Sequence, residues 1–305
     1  MNILVIIFKL RWFHSFKINN LIYKGLKMFK NILIPLDRSP YSDICLKYAI
    51  WLAKQFKAKL FGQHVVDLVA LEGPIVHDIS GAMGFEPYVN LSDKMKEVLS
   101  SRGSEILEEF AEKCRDNGIP YETYLDTGIV SNEICSRAKT ADIIVLAQKG
   151  LNAKFDKGLL GSISDAVIRK SQKPIFLTPA EYREIKRILL CFDGSNYASL
   201  AMQTAAEFAI AIGAEMHILT VGKDEDEGKK KLEEAKKYLD SYEIKAIFSF
   251  IEGNAHEVIV EFSEKEEIDL VFMGAYGHSR IIEMVLGSTT EYVLRNIKCP
   301  VIIRR

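Results

Sequence analysis

Short, fully apolar runs alternate along this chain with longer stretches whose apolar residues recur at helical spacing. NILIPLD, Asn31 to Asp37, is the first such run, and Ser42 to Lys57 follows with Ile44, Tyr48, Trp51, Leu52 and Phe56 on one helical stripe. KLFGQHVV, Lys59 to Val66, is the second. An irregular stretch from Asp67 to Asn90, with two prolines and three glycines, leads to a predicted helix over Leu91 to Asn117. A strand at Tyr121 to Leu125, a turn at Asp126-Thr127-Gly128 and a helix from Ser131 to Ala138 are expected next. Then come a strand over Ile143 to Ala147, a loop from Lys149 to Gly161, a helix over Ser162 to Lys170 and a strand over Pro174 to Leu177. Apolar strands without polar alternation, joined by amphipathic helices, form parallel sheets covered on both faces.

The same programme then repeats. KRILLCFDGS, Lys186 to Ser195, matches KNILIPLDRS, Lys30 to Ser39, at an offset of 156 residues; at the pairs Gly161-Ser162 and Gly287-Ser288 the offset is 126. The second copy is therefore shorter by about thirty residues, lost after its second strand near Val221. There GKDEDEGKKKLEEAKKYLD replaces the first copy's excursion, and its charge density is that of a solvated helix face. A repeat of this size is a duplicated domain, not a solenoid unit. The expected organisation is an extension over 1–27, a first domain over 28–179, a linker over 180–185 and a second domain over 186–305.

With 48% hydrophobic and 27% charged residues, two full cores can be built. Forty basic and 41 acidic residues leave a net charge of -1, which is no footprint for nucleic acid. The five cysteines are scattered, odd in number and without a CxxC pair, so they read as small core residues in a reducing, cytoplasmic setting. Residues 1–27 carry five Lys or Arg and no acid, with an apolar run from Ile3 to Leu10 that is too short to span a bilayer. No integral membrane segment is expected. The extension reads as a tail ahead of Met28, or as a basic segment lying on a membrane.

Candidate chemistry concentrates between Met273 and Val293. The apolar run Leu270 to Met273 ends in Gly274; Gly277 follows, and Gly287-Ser288 then opens a helical pattern. Glycines let a ligand approach the backbone, and a helix N-terminus offers unpaired N–H groups and partial positive charge to a phosphate. Ser288 and Thr289 add hydroxyls. The alternative reading of Ser288-Thr289-Thr290-Glu291 is a capping box. The spacing Gly274-x2-Gly277-x9-Gly287-Ser288 resembles the nucleotide-binding signature of the universal stress protein family, in its ATP-binding branch. No Walker loop occurs.

The resemblance implies two tandem α/β domains, each a five-stranded parallel sheet of order 3-2-1-4-5 with helices on both faces. It implies an adenine-nucleotide (ATP or AMP) binding protein with a stress-response or regulatory role. Asp193, ending its first strand, would take the adenine or ribose side, with a turn or N-cap role as the alternative; Val221 would lie against the nucleoside. His278, next to Gly277, could reach phosphate, and Mg2+ or Mn2+ is compatible with the phosphates. No side-chain metal site is read from the sequence, and no downstream protein partner can be named. A slow ATPase or adenylyl-transfer enzyme is the alternative function, without an assigned catalytic residue.

The first copy carries the weaker candidate set Asp37, Val65, Ala147, Gly150, Gly161 and Ser162. Ala147 stands where the first glycine belongs, and one extra residue separates Gly150 from Gly161. ATP is therefore expected to prefer the second copy. The apolar fifth strands are expected to meet edge to edge, making an intrachain pseudo-dimer that could assemble into a further homodimer.

Overall fold

A computed structural model describes residues 28–67, 88–150, 160–242, 244–275 and 286–305, with side chains in the helix that opens at 88 described from 94 onward. The expected extension over 1–27, the stretch 68–87, and the candidates Gly277 and His278 lie outside the described residues.

The first copy contributes β1 (Asn31–Pro35), α1 (Pro40–Phe56), β2 (Lys59–Asp67), α2 (Tyr88–Asp116), β3 (Tyr121–Gly128), α3 (Val130–Arg137), β4 (Ile143–Ala147), α4 (Ser162–Lys170) and β5 (Ile175–Thr178). The second contributes β6 (Arg187–Cys191), α5 (Asn196–Ile212), β7 (Glu215–Gly222), α6 (Glu225–Leu239), β8 (Ala246–Glu252), α7 (Ala255–Lys265), β9 (Leu270–Gly274), α8 (Ser288–Asn296) and β10 (Val301–Arg304). All ten strands form one sheet in the order β3-β2-β1-β4-β5-β10-β9-β6-β7-β8. Each half is thus a parallel 3-2-1-4-5 sheet, and the halves meet where β5 and β10 pair antiparallel, Phe176 opposite Ile302. The edge contact expected of the apolar fifth strands is this seam.

Core residues divide by face. On one side α1, α2, α5 and α6 cover Ile32, Ile34, Val145, Ile188 and Phe272. On the other α3, α4, α7 and α8 cover Leu33, Ile144, Leu189 and Val271. Adjacent residues of one strand go to opposite faces, as the pleat requires, so a strand buried on both sides must be apolar throughout. Across the first face the halves share an aromatic contact, Phe56 against Phe208 at 5.4 Å.

Several expectations need correction. Asp126-Thr127-Gly128 is not a turn; it completes β3, paired to Val65, Val66 and Asp67. Turn-forming residue types lose here to the hydrogen bonds of the neighbouring strand. α1 starts two residues before Ser42, because Ser39 caps it by accepting from the Ser42 N–H at 3.2 Å and Pro40 sits at its first turn. β5 begins at Ile175, one residue after the expected Pro174.

Candidate functional site

β6 has β7 on one side and β9 on the other, so the chain direction of winding reverses between β6 and β9. A crevice opens at such a reversal, beyond the carboxyl ends of the strands. Here it is a cavity of about 210 Å3, whose wall includes Asp193, Val221, Gly274, Gly287, Ser288 and Thr289. Six sequence candidates from four separate segments are thereby brought together.

Asp193 follows β6. Its Oδ1 accepts the Ser195 N–H at 2.9 Å, and Gly194 between them takes φ +82. Ser195 then caps α5 by accepting from the Ala198 N–H at 3.1 Å. The turn-and-cap reading of DGS therefore holds, and the aspartate is fixed at the cavity wall by the same turn. Opposite, β9 ends in Gly274, and the Gly287 N–H returns to the Ala275 carbonyl at 3.3 Å. α8 starts at Ser288 with Gly287 as N-cap and no side-chain capping bond. The capping-box reading of Ser288 is not realised: Ser288 is the first helical residue, and Glu291 pairs instead with Arg295 at 2.5 Å. The open end of α8 faces the cavity with the Ser288 and Thr289 hydroxyls beside it.

Two features were not read from the sequence. A Cβ on Gly274 would stand 2.8 Å from Tyr197 Cβ and 3.0 Å from its backbone carbon, so this glycine is demanded by the start of α5 whatever the cavity holds. Thr290 donates its hydroxyl to the Gly274 carbonyl at 3.2 Å, tying α8 to the strand end. The periodicity of α8 marks Thr290 as inward-facing, but only the fold supplies its acceptor. Leu219, Ala255 and Ile259 add apolar wall. Cys191, also on the wall, has its thiol pushed up by burial first and by Asp193 second.

The first half repeats the frame with differences. Asp37 Oδ1 accepts the Ser39 N–H at 3.0 Å, and Ser164 donates to the Ala147 carbonyl at 2.7 Å, matching Thr290. Gly161 returns to the Gln148 carbonyl at 2.9 Å, across one residue more than in the second half. Gly150 lies against the aspartate: a Cβ there would be 3.1 Å from Asp37 Oδ2. Ser162 opens α4, Val65 sits on β2 against Asp126, and Ile163 stands where the second half has Thr289. Among the described residues no group of three or more His, Cys, Asp or Glu side chains could hold a metal ion, and no helix is long and apolar enough to cross a membrane.

The architecture is that of a doubly wound α/β protein, duplicated within one chain, with a helix N-terminus turned to a crevice at the strand-order reversal. The universal stress protein family model matches residues 28–179 and 222–305. Universal stress protein Slr1230 of Synechocystis is 30% identical over 90% of this chain and 100% of its own length. Universal stress protein MJ0531 of Methanocaldococcus jannaschii is 28% identical over 55% of this chain and 92% of its own. The chain belongs to the universal stress protein family. In fold, it matches the crystal structure of a universal stress protein from Archaeoglobus fulgidus with a TM-score of 0.72 at 24% identity, covering 90% of this chain and 98% of that one.

Proposed function

We propose that the second half binds an adenine nucleotide, ATP or AMP, and that the protein serves a regulatory or stress-response role through its bound state. The observation that carries this reading is the convergence of Asp193, Val221, Gly287, Ser288 and Thr289 on one cavity at the strand-order reversal. Asp193 offers a carboxylate to an amino or ribose hydroxyl group. The α8 N-terminus and its two hydroxyls offer donors and positive potential to phosphate. Val221, Leu219 and Ile259 supply the apolar wall a purine needs. A divalent cation would be held by the phosphates themselves, with Ser288 as a hydroxyl ligand, since the described wall has no carboxylate cage.

Binding is favoured over turnover because Asp193 is the only carboxylate on the described wall and its Oδ1 is engaged in the turn. The first half is the weaker site. Ile163 replaces a hydroxyl-bearing residue in the first turn of α4, and one more residue separates Gly150 from Gly161 than Gly277 from Gly287. Losing one or two charge-assisted hydrogen bonds costs about 1.5–3 kcal/mol each, or about tenfold or more in affinity.

Titration calorimetry with ATP tests the reading: Asp193→Ala should remove the tighter site and Asp37→Ala should leave it. The opposite pattern would reverse the assignment of the halves, and absence of binding to the intact chain would overturn the function. Mass spectrometry of any nucleotide released by gentle denaturation identifies the ligand. ATP that remains intact for hours with pure protein separates binding from hydrolysis.

A further inference from the structure

Around the first half's counterpart of the wall residue Leu219, three side chains differ from the second half in a concerted way. Pro35 pairs with Gln63 as Cys191 pairs with Leu219, so Gln63 occupies the position of the wall residue Leu219. Asp126, opposite Val65, occupies the position of Ile251, opposite Val221. Arg137 lies seven residues after the first residue of α3, as Phe262 does in α7. Three apolar positions have thus become an amide, a carboxylate and a guanidinium.

These three groups hold one another. Arg137 donates to both oxygens of Asp126, at 2.8 and 3.0 Å, and lies 3.9 Å from the centre of the Tyr124 ring. Gln63 is fully buried; its Nε2 donates to Asp126 Oδ2 at 2.8 Å and to the Glu133 carbonyl at 3.2 Å. Both partners are acceptors, so the amide cannot be turned over without setting oxygen against oxygen. Its Oε1 is left buried, with no donor reaching it among the described residues. A buried carbonyl in that state is a standing acceptor for whatever occupies the space beside it.

We propose that Gln63, locked in orientation by Asp126 and Arg137, is the specificity-determining residue of the first half's crevice, which takes a ligand bringing an N–H or O–H donor to that wall and disfavours the apolar contact made by a purine in the second half. The inference rests on the second half being the nucleotide site. It makes the two halves different in ligand class, beyond being unequal in affinity.

The test uses the full chain carrying Asp193→Ala, so that ATP binding reports the first half alone. Adding Gln63→Leu, Asp126→Ile and Arg137→Phe together removes amide, carboxylate and guanidinium without leaving a buried charge unpaired. Thermal unfolding confirms that the variant folds. ATP should then bind about tenfold or more tightly than to the Asp193→Ala parent. Gln63→Leu alone, which keeps the Asp126–Arg137 pair, gives the same comparison if the triple variant does not fold. Equal or weaker ATP binding in the folded variant would overturn the proposal. An intact chain that binds no ATP would overturn the function proposed above, whereas an intact chain that binds ATP but shows no gain on substitution would overturn only the proposal for Gln63.

Discussion

Gly274 has no side chain because the first turn of α5 leaves no room for one. In the first half Ala147 fills the corresponding place at the end of β4, so the local backbone approach differs between the halves. Gly274→Ala would press a methyl onto the Tyr197 backbone and should cost about 1–3 kcal/mol, the range of overpacking in a filled interior. Chemical denaturation measures it, and an unchanged midpoint would mean that α5 can shift freely. The hydroxyls of Thr290 and Ser164 are a matched pair, each returned to a strand-end carbonyl. The thiols of Cys114 and Cys299 are pushed up to about 11 and about 12, chiefly by burial, and those of Cys45, Cys135 and Cys191 are also raised by burial. Thiolate is the reactive form, so all five should alkylate slowly at pH 8 in the folded chain and fast in denaturant. Rapid labelling of Cys45, Cys114 or Cys299 by iodoacetamide under native conditions would contradict its buried placement.

Among the elements, each half closes its central strand pair with the same device. Asp142, just before β4, accepts the Lys30 and Asn31 N–H groups at 2.7 and 2.9 Å. Asp269, just before β9, accepts those of Lys186 and Arg187 at 2.9 and 3.0 Å. A single carboxylate oxygen thereby satisfies the two donors that precede the first ladder bond of each copy. Asp269→Ala should destabilise the second half by about 1–3 kcal/mol through loss of charged hydrogen bonds, and Asp142→Ala should do the same in the first. Hydrogen exchange at the Arg187 and Asn31 amides reads each half separately; protection unchanged in both would show the bonds to be dispensable.

For the whole molecule, the β5–β10 seam makes one sheet from two copies. Its antiparallel sense is what a two-fold relation between identical edges produces. Cleavage after Pro179 should leave the two fragments associated, because both fifth strands would otherwise expose an apolar edge. Gel filtration of the cleaved chain decides it: fragments that separate and remain soluble would show that the seam is held only by covalent connection. The linker is anchored by Tyr48, fully buried in α1, whose hydroxyl accepts the Arg183 N–H at 2.9 Å. Burial pushes this phenol up to about 12. The proton is thus held more tightly in the folded than in the unfolded chain, where the value is about 10. The associated stability is complete below pH about 10 and is lost as pH rises toward 12. Tyr48→Phe should flatten that alkaline loss, and a variant with the wild-type profile would remove Tyr48 as its cause.

Strand and helix identity, the duplication and the helix start at Gly287-Ser288 were legible in the sequence, because each is written in local periodicity or in residue types with restricted backbone roles. Asp193, Gly287 and Ser288 could be named for the same reason, as chain-direction changes need particular residues. The continuation of β3 through Asp126-Thr127-Gly128 was not legible, since the neighbouring strand overrides turn chemistry there. Gly274's packing role depends on Tyr197, far away in the chain, and no local pattern carries it. The polar set Gln63, Asp126 and Arg137 is scattered over three elements, and only the parallel pairing of β2 with β3 and the docking of α3 bring it together. Local interactions decide which segments become strands and helices; long-range pairing decides which side chains share one wall.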